Sequence, residues 1–148
     1  MFESSEDAER EAQRAKAHAL VDALLGVDPR TALGSELTTM VEARAELTAI
    51  VDGATVVAIP QWEASTDWAL DGSASSVVSM VNRTGAHRSA AGALRRTGLL
   101  AASMPHVSAA AAEGALPLSH LHLLTRARRD EVADVFDRDE QTLVDEAK

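Results

Sequence analysis

The residues best suited to chemistry in this chain are arginines, and seven of them lie between residues 73 and 129. A guanidinium group binds phosphate through paired hydrogen bonds and also recognises guanine, so a surface that gathers such groups suits nucleic acid. The candidate nucleic-acid contacts are Arg83, Arg88, Arg95, Arg96, Arg126, Arg128 and Arg129. We expect double-stranded DNA to be the partner of such a surface.

The overall charge of −9 hides this basic region. Residues 1–72 hold five basic and fourteen acidic residues, a net charge of −9, whereas residues 73–129 hold seven basic residues and one acidic residue, a net charge of +6. Residues 130–148 return to −6, with two basic and eight acidic residues. Because acids flank the basic middle, the arginines have an alternative use in salt bridges to these acidic arms. The residues alone leave both interpretations open.

Other patterns that carry chemistry are missing from the sequence. The chain has no cysteine, which excludes a thiolate metal site and a cysteine nucleophile. His120 and His122 stand two apart on a predicted helix and so face different ways, whereas a zinc pair needs a spacing of three or four. There is no Gly-x-Ser-x-Gly motif and no glycine-rich phosphate loop. We therefore predict no catalytic residue, no metal, no cofactor and no small-molecule ligand.

The elements that must position the arginines are predicted to be helices. Apolar residues recur at helical spacing, and glycine or proline marks most of the ends. The predicted helices cover residues 4–25, 35–71, 73–83, 87–103, 105–113, 118–128 and 130–148. The sequence therefore predicts a compact all-α domain of about six to seven helices, with helix-turn-helix-like hairpins.

One segment within the second helix is ambiguous. Residues 54–59 are rich in β-branched side chains, lie between Gly53 and Pro60, and would suit a strand. The segment is only six residues long and has no evident strand partner, so we predict a helix with a kink near Gly53 or Pro60. Trp62 and Trp68 follow it, and we expect them to pack at a helix junction, with base stacking as the alternative.

The basic middle contains the spacing of a helix-turn-helix. Residues 73–103 predict a short helix, a tight turn at Thr84-Gly85 and a longer second helix. Arg88 and Arg95 share one stripe of that second helix, and Arg96 lies beside them. Guanidinium groups on a second helix are placed as DNA contacts require.

A second predicted hairpin, at residues 105–128, repeats this scheme around a turn at residues 114–117. Together the hairpins contain an ordered series of motifs: Trp68-x-x-Asp71-Gly72, Thr84-Gly85-x-x-Arg88-x-x-Ala91, Leu99-Leu100-x-x-x-Met104-Pro105 and Ala112-Glu113-Gly114-x-Leu116-Pro117-x-Ser119-His120. This series resembles the domain-of-unknown-function 222 family, also called 13E12-repeat proteins. The resemblance covers about residues 36–148 and is strongest over residues 68–126.

The resemblance implies an all-helical domain of a kind that commonly precedes an HNH endonuclease module and is associated with DNA. It divides the chain into an acidic amphipathic helix and linker (residues 1–34) and a helical domain (residues 35–148). The chain ends at Lys148, before the family domain would finish, so we expect a truncated domain. The catalytic His and Asn of an HNH module have no counterpart here. The implied function is a non-catalytic module that binds or targets DNA.

The alternative function is a structural or protein–protein interaction module in which the acidic arms neutralise the basic middle. An apolar stripe of Val132, Val135, Phe136 and Leu143 on the last helix predicts a protein partner or a second copy of the chain. No basic-then-apolar leader opens the chain, and no apolar run approaches the roughly 18 residues of a membrane span. We therefore expect a cytoplasmic protein with no membrane partner.

Overall fold

The computed structural model describes residues 3–148, so Met1 and Phe2 of the predicted N-terminal arm lie outside the described residues. The described chain forms seven α-helices: α1 (Glu3–Leu25), α2 (Gly34–Ser65), α3 (Ser76–Thr84), α4 (Arg88–Ala101), α5 (Pro105–Ala112), α6 (Leu118–Ala127) and α7 (Ala133–Ala147). Two short 3₁₀ helices, Asp67–Asp71 and Asp130–Val132, precede α3 and α7. The predicted all-α fold of six to seven helices is confirmed.

The central element is α2, which spans 32 residues and packs against α1, α4 and α5. The ambiguous segment 54–59 lies inside it, so the prediction of a helix is correct. Val56 is fully buried and Ile59 is 3 % exposed, on the same face of the helix three residues apart. Burial of these side chains in the core outweighs the mild preference of β-branched residues for strands.

Two glycines allow neighbouring helices to approach α2 closely. A Cβ atom at Gly53 would overlap the carbonyl oxygen of Ala111 in α5. A Cβ atom at Gly98 of α4 would lie 2.5 Å from the Cβ of Ile59 and 2.9 Å from the carbonyl oxygen of Val56. The crossing of α4 over α2 therefore requires a residue without a side chain at position 98, and it fixes the orientation of the arginines on α4.

The remaining core is built by α5, α6 and α7. Its fully buried side chains include Met104, Val107, Leu116 and Leu121. The carboxylate of Glu140 in α7 is 2 % exposed and accepts hydrogen bonds from the backbone N–H groups of His106 (2.8 Å) and Val107 (2.9 Å). It satisfies two amide groups at the positive end of the α5 dipole, which joins α7 to α5.

The predicted apolar stripe on the last helix is largely covered. Phe136 is 5 % exposed and belongs to the core, and Leu143 is half-buried against it, because α7 packs on α5 and α6. Val132 and Val135 remain 43 % and 52 % exposed. The expectation of a free docking stripe along this helix is therefore wrong for Phe136 and Leu143.

Three predicted helix boundaries are also wrong. Helix α3 begins at Ser76 and not at residue 73, because Ser75 caps it by accepting a hydrogen bond from the backbone N–H of Val78. The second helix ends at Ser65, where Thr66 adopts a left-handed conformation (φ 59°), and a separate 3₁₀ helix follows. The last helix begins at Ala133 after a 3₁₀ turn, so Asp130 starts that turn and does not cap the helix. In the segments 67–71 and 130–132, the acidic and apolar residues that suggested a continuous α-helix form a short 3₁₀ helix.

The N-terminal helix α1 lies along α2. Lys16 Nζ is 3.2 Å from Glu46 Oε2 of α2, and Gln13 Nε2 donates a hydrogen bond of 2.6 Å to the carbonyl oxygen of Ala112 at the end of α5. No side chain described in α1 is fully buried, so the helix is a peripheral layer over the core. Nowhere between residues 3 and 148 is a helix long and apolar enough to cross a membrane.

Candidate nucleic-acid interface

The first predicted hairpin is present at the predicted place. Helix α3 ends at Thr84, Gly85 adopts the left-handed conformation (φ 70°) that favours glycine, and α4 begins at Arg88. His87 precedes α4, and its ring Nδ1 accepts a hydrogen bond from the backbone N–H of Ser89 (3.3 Å). Helices α3 and α4 pack against each other, so the turn sets the direction in which the arginines of α4 point.

Arg95 of α4 points towards α2 and α3. Its Nη2 lies 2.6 Å from Glu63 Oε1, and its Nε lies 3.0 Å from both Glu63 Oε2 and Ser76 Oγ. The hydrogen bond from Arg95 lowers the pKa of Glu63, and the same contact raises the pKa of Arg95. The Arg95 side chain is only 34 % exposed, so it serves as an internal link between three helices.

Arg83 of α3 is held by the segment that precedes its helix. Its Nε lies 3.0 Å from Asp71 Oδ2, which also accepts a hydrogen bond of 2.8 Å from Ser79 Oγ. Hydrogen bonds from Ser73 and Ser79, with the charge of Arg83, lower the pKa of Asp71 to about 2. This network fastens the 3₁₀ helix to α3.

Arg128 at the end of α6 forms a two-point ion pair with Asp137 of α7. Its Nε and Nη2 lie 2.7 Å and 2.9 Å from the two carboxylate oxygens. The hydrogen bond from Arg128 lowers the pKa of Asp137. The acids that pair with Arg83, Arg95 and Arg128 belong to residues 1–72 and 130–148, so the salt-bridge interpretation describes three of the seven arginines.

The other four arginines are exposed and make no side-chain hydrogen bond or ion pair with any residue that the structure describes. They are Arg88, Arg96, Arg126 and Arg129. Arg88 and Arg96 lie at the start and middle of α4, Arg126 lies in the last turn of α6, and Arg129 follows that helix. Helices α4 and α6 pack against each other and both contact α2, so Arg96 and Arg126 belong to helices that meet at one junction.

The positive charges of Arg96 and Arg126 both act on one side chain at this junction, His122 of α6. The Nδ1 of His122 is hydrogen-bonded to Oγ1 of Thr97, a buried residue of α4. Burial lowers the pKa of His122, the positive charges of Arg96 and Arg126 lower it further, and the negative charge of Asp52 opposes them. The imidazole is therefore mainly neutral near pH 7.

The negative charge of Asp52 of α2 also acts on His122. The residue is half-buried, and this burial raises its pKa while the neighbouring His122 opposes the rise. Charged groups on all three helices of this junction, Asp52, Arg96 and Arg126, therefore act on the His122 ring.

Sequence reasoning missed His122, Asp52 and Thr97 as parts of this junction. His122 and Arg126 are one helical turn apart, and this spacing was the available signal. No spacing links them to α2 or α4. His120, two residues away, contacts α7 instead, with Nδ1 2.9 Å from the carbonyl oxygen of Ala147, so the two histidines do face different helices.

Both tryptophans are half-buried at helix junctions, in agreement with the packing interpretation. Trp68 Nε1 donates a hydrogen bond of 3.2 Å to the carbonyl oxygen of Glu63. Trp62 lines an open apolar groove of about 490 Å³, together with Met80 and Leu94, between α2, α3 and α4.

No family model matches this chain, and no curated protein or solved structure shows significant similarity to it. The resemblance to the domain-of-unknown-function 222 family therefore stays a prediction.

Proposed function

We propose that this chain is a non-catalytic helical module that binds double-stranded DNA through its exposed arginines. The observation that carries the proposal is that Arg96 and Arg126, on two helices that pack together, are exposed and have no acidic partner among the described residues. Unpaired guanidinium groups on a helical surface contact backbone phosphates and release counterions. Arg88 and Arg129 extend the same kind of contact.

The ion pairs restrict the proposed interface to four of the seven candidates. Arg83, Arg95 and Arg128 are engaged by acids of the chain itself, and using them for DNA would leave those acids unpaired. Four phosphate contacts predict that the logarithm of affinity falls with the logarithm of salt with a slope of about −3.6 at most. The small number of phosphate contacts and the net charge of −9 together favour weak binding that depends strongly on salt.

The resemblance supports a more specific version of the proposal. A helical domain of the 13E12-repeat type would target a longer HNH endonuclease-like protein to DNA, and the chemistry would belong to a module other than this one. Direct binding of DNA by this chain does not depend on that assignment, because it rests on the free arginines.

A salt titration of duplex binding tests the proposal. In the double variant Arg96→Gln/Arg126→Gln, we expect affinity at low salt to fall at least about tenfold for all duplex sequences and the salt slope to become shallower by about 2. Arg44→Gln is the matched control, because Arg44 is an exposed arginine on α2 without an ion pair among the described residues. Absence of duplex binding at low salt by the unchanged chain would refute the proposal.

The second candidate function is a structural or interaction module whose basic middle is neutralised by the acidic arms. The three ion pairs to acids of the arms favour it. Exposed apolar side chains on the first part of α2 and before it also favour it, since Leu33 and Val41 are 70 % and 68 % exposed. Sedimentation at increasing protein concentration tests this candidate, and a monomer at every concentration would exclude self-association as its mechanism.

A further inference from the structure

We propose that the apolar groove between α2, α3 and α4 binds a small apolar carboxylate of the size of a medium-chain fatty acid. The groove has a volume of about 490 Å³. This volume lies within the range of roughly 300 to 1,000 Å³ that is usual for small-molecule sites. The inference goes beyond the proposed function, because the groove contains none of the four free arginines assigned to DNA.

The walls of the groove are mainly apolar side chains from separate helices. Trp62 of α2, Met80 of α3 and Leu94 of α4 are half-buried there, and the buried residues Ile59 and Ala91 also line it. An aromatic ring offers a flat apolar surface, and the flexible thioether of a methionine adapts to the shape of a ligand. This lining predicts that the body of the ligand is a hydrocarbon.

The two hydroxyl groups in the lining already have partners within the chain. Thr55 Oγ1 donates a hydrogen bond of 2.8 Å to the carbonyl oxygen of Val51. Thr84 Oγ1 donates a hydrogen bond of 2.7 Å to the carbonyl oxygen of Met80 and accepts one of 3.2 Å from the backbone N–H of Ala86. Each hydroxyl has a single proton to donate, so neither is a free donor for a ligand.

The charge in the groove determines the polar group of the ligand. Arg83 is the one charged residue among the described residues that line the groove. Its Nε lies 3.0 Å from both Asp71 Oδ2 and Ser79 Oγ, whereas its Nη1 and Nη2 make no hydrogen bond with residues 3–148. Asp71 also accepts hydrogen bonds from Ser79 Oγ and from the backbone N–H of Ser73, which spread its negative charge. Because the two free nitrogens of a guanidinium group match the two oxygens of a carboxylate, we assign a carboxylate to this end of the ligand.

The start of α4 adds to the positive potential at the groove. Ala86 and Ala90 line the groove, and α4 begins between them at Arg88. The first turn of a helix carries a partial positive charge, and this turn of α4 contains no acidic residue. The side chain of Arg88 is exposed and makes no ion pair with the described residues. These charges favour an anionic ligand at the same end of the groove as Arg83.

Titration of the full chain with decanoate, below the concentration at which the probe forms micelles, tests the inference. We expect saturable binding by calorimetry and a change in tryptophan fluorescence, because Trp62 lines the groove. The neutral analogue 1-decanol isolates the role of the charge. Arg83→Gln should weaken decanoate binding about tenfold and change 1-decanol binding by less than about twofold. Arg44→Gln, at an exposed arginine outside the groove, should leave both affinities unchanged.

A second variant tests the groove itself without removing a charge. Ala90 is an exposed lining residue, so Ala90→Phe places a ring in the groove without disturbing the core. It should weaken the binding of both probes at least about tenfold, because the ring takes the space of the ligand. Ala45→Phe is the matched control, since Ala45 is an exposed helical alanine that does not line the groove. Circular dichroism establishes that each variant is folded.

Three outcomes would overturn the inference. The first is the absence of saturable decanoate binding by the unchanged chain. The second is an equal loss of decanoate and 1-decanol binding in folded Arg83→Gln. The third is an oligomer of the unchanged chain that Ala90→Phe dissociates and decanoate does not, because the groove would then hold a second copy of the chain. Failure of duplex binding would refute the proposed function and leave the groove unaffected, since neither Arg83 nor Ala90 belongs to the proposed DNA interface.

Discussion

Arg95 and Arg96 are neighbours in the sequence, yet the fold gives them opposite surroundings. Arg95 points towards α2 and α3, where Glu63 and Ser76 bind its guanidinium. Arg96 is exposed, and its side chain makes no hydrogen bond or ion pair with the described residues. Successive residues of a helix are separated by about 100° around its axis, so one residue can join the core while the next remains free. Arginines that are neighbours in the sequence are therefore not all available to a ligand.

The same crossing of α4 over α2 creates both environments, so the largest expected effect comes from disturbing it. Gly98→Ala places a methyl group 2.5 Å from Ile59 Cβ, and we expect a loss of about 3 kcal/mol in the free energy of unfolding. Urea unfolding followed by circular dichroism measures this.

Gly92→Ala is the matched control on the same helix, because the added methyl group would meet only the end of the Arg96 side chain at 3.8 Å. We expect it to leave stability unchanged or to raise it by up to about 1 kcal/mol. Equal stability of the Gly98→Ala and Gly92→Ala variants would show that the crossing of α4 over α2 does not require a residue without a side chain at position 98.

Removal of the internal arginine should have the next largest effect. Arg95→Gln leaves Glu63, whose side chain is 23 % exposed, without its cation. We expect a loss of about 2 kcal/mol in the free energy of unfolding, which lies between the values for exposed and buried ion pairs. Arg96→Gln should change stability by less than about 0.5 kcal/mol. Thermal unfolding compares the two, and equal losses would remove the distinction between the neighbours.

The cost of Arg95→Gln should depend on pH. The folded-state pKa of Glu63 is lowered, so the stabilisation it supplies is present above its ordinary pKa of 4.5 and is lost as pH falls through the folded value. The stability difference between the unchanged chain and Arg95→Gln should therefore be largest near pH 7 and narrow below about pH 4. A constant difference across this range would mean that the ion pair is not its source.

The smallest expected effect concerns the free arginines themselves. Because the positive charges of Arg96 and Arg126 lower the pKa of His122, the double variant should raise that pKa towards its ordinary value. We expect a small rise, measured by NMR titration without added anion. A fall in the pKa of His122 would contradict an effect of the two positive charges on the ring.

The fold was predictable from the sequence because the residues that begin and end its helices are local signals. Gly26, Gly85 and Gly114 end helices or turns, and Pro105 and Pro117 open helices, so seven helices could be placed without tertiary information. The 54–59 segment required a weaker argument, the absence of a strand partner. Its helical form depends on burial of Val56 against distant parts of the chain.

The candidate site was only partly predictable. The basic middle was visible as a count of arginines, but the pair between Arg95 and Glu63 joins residues 32 apart, and no local pattern encodes it. His122 was not among the predicted contacts, because the groups that act on it include residues of α2 and α4. Likewise, the role of Glu140 as a cap for α5 depends on a contact 34 residues away.

The most direct test compares the two neighbours in one assay, the salt dependence of duplex binding by Arg95→Gln and Arg96→Gln. We expect folded Arg95→Gln to keep the affinity and salt slope of the unchanged chain, whereas Arg96→Gln should lose about tenfold in affinity and about one unit of slope. A loss with Arg95→Gln that equals or exceeds the loss with Arg96→Gln would contradict the division between an internal and a free arginine.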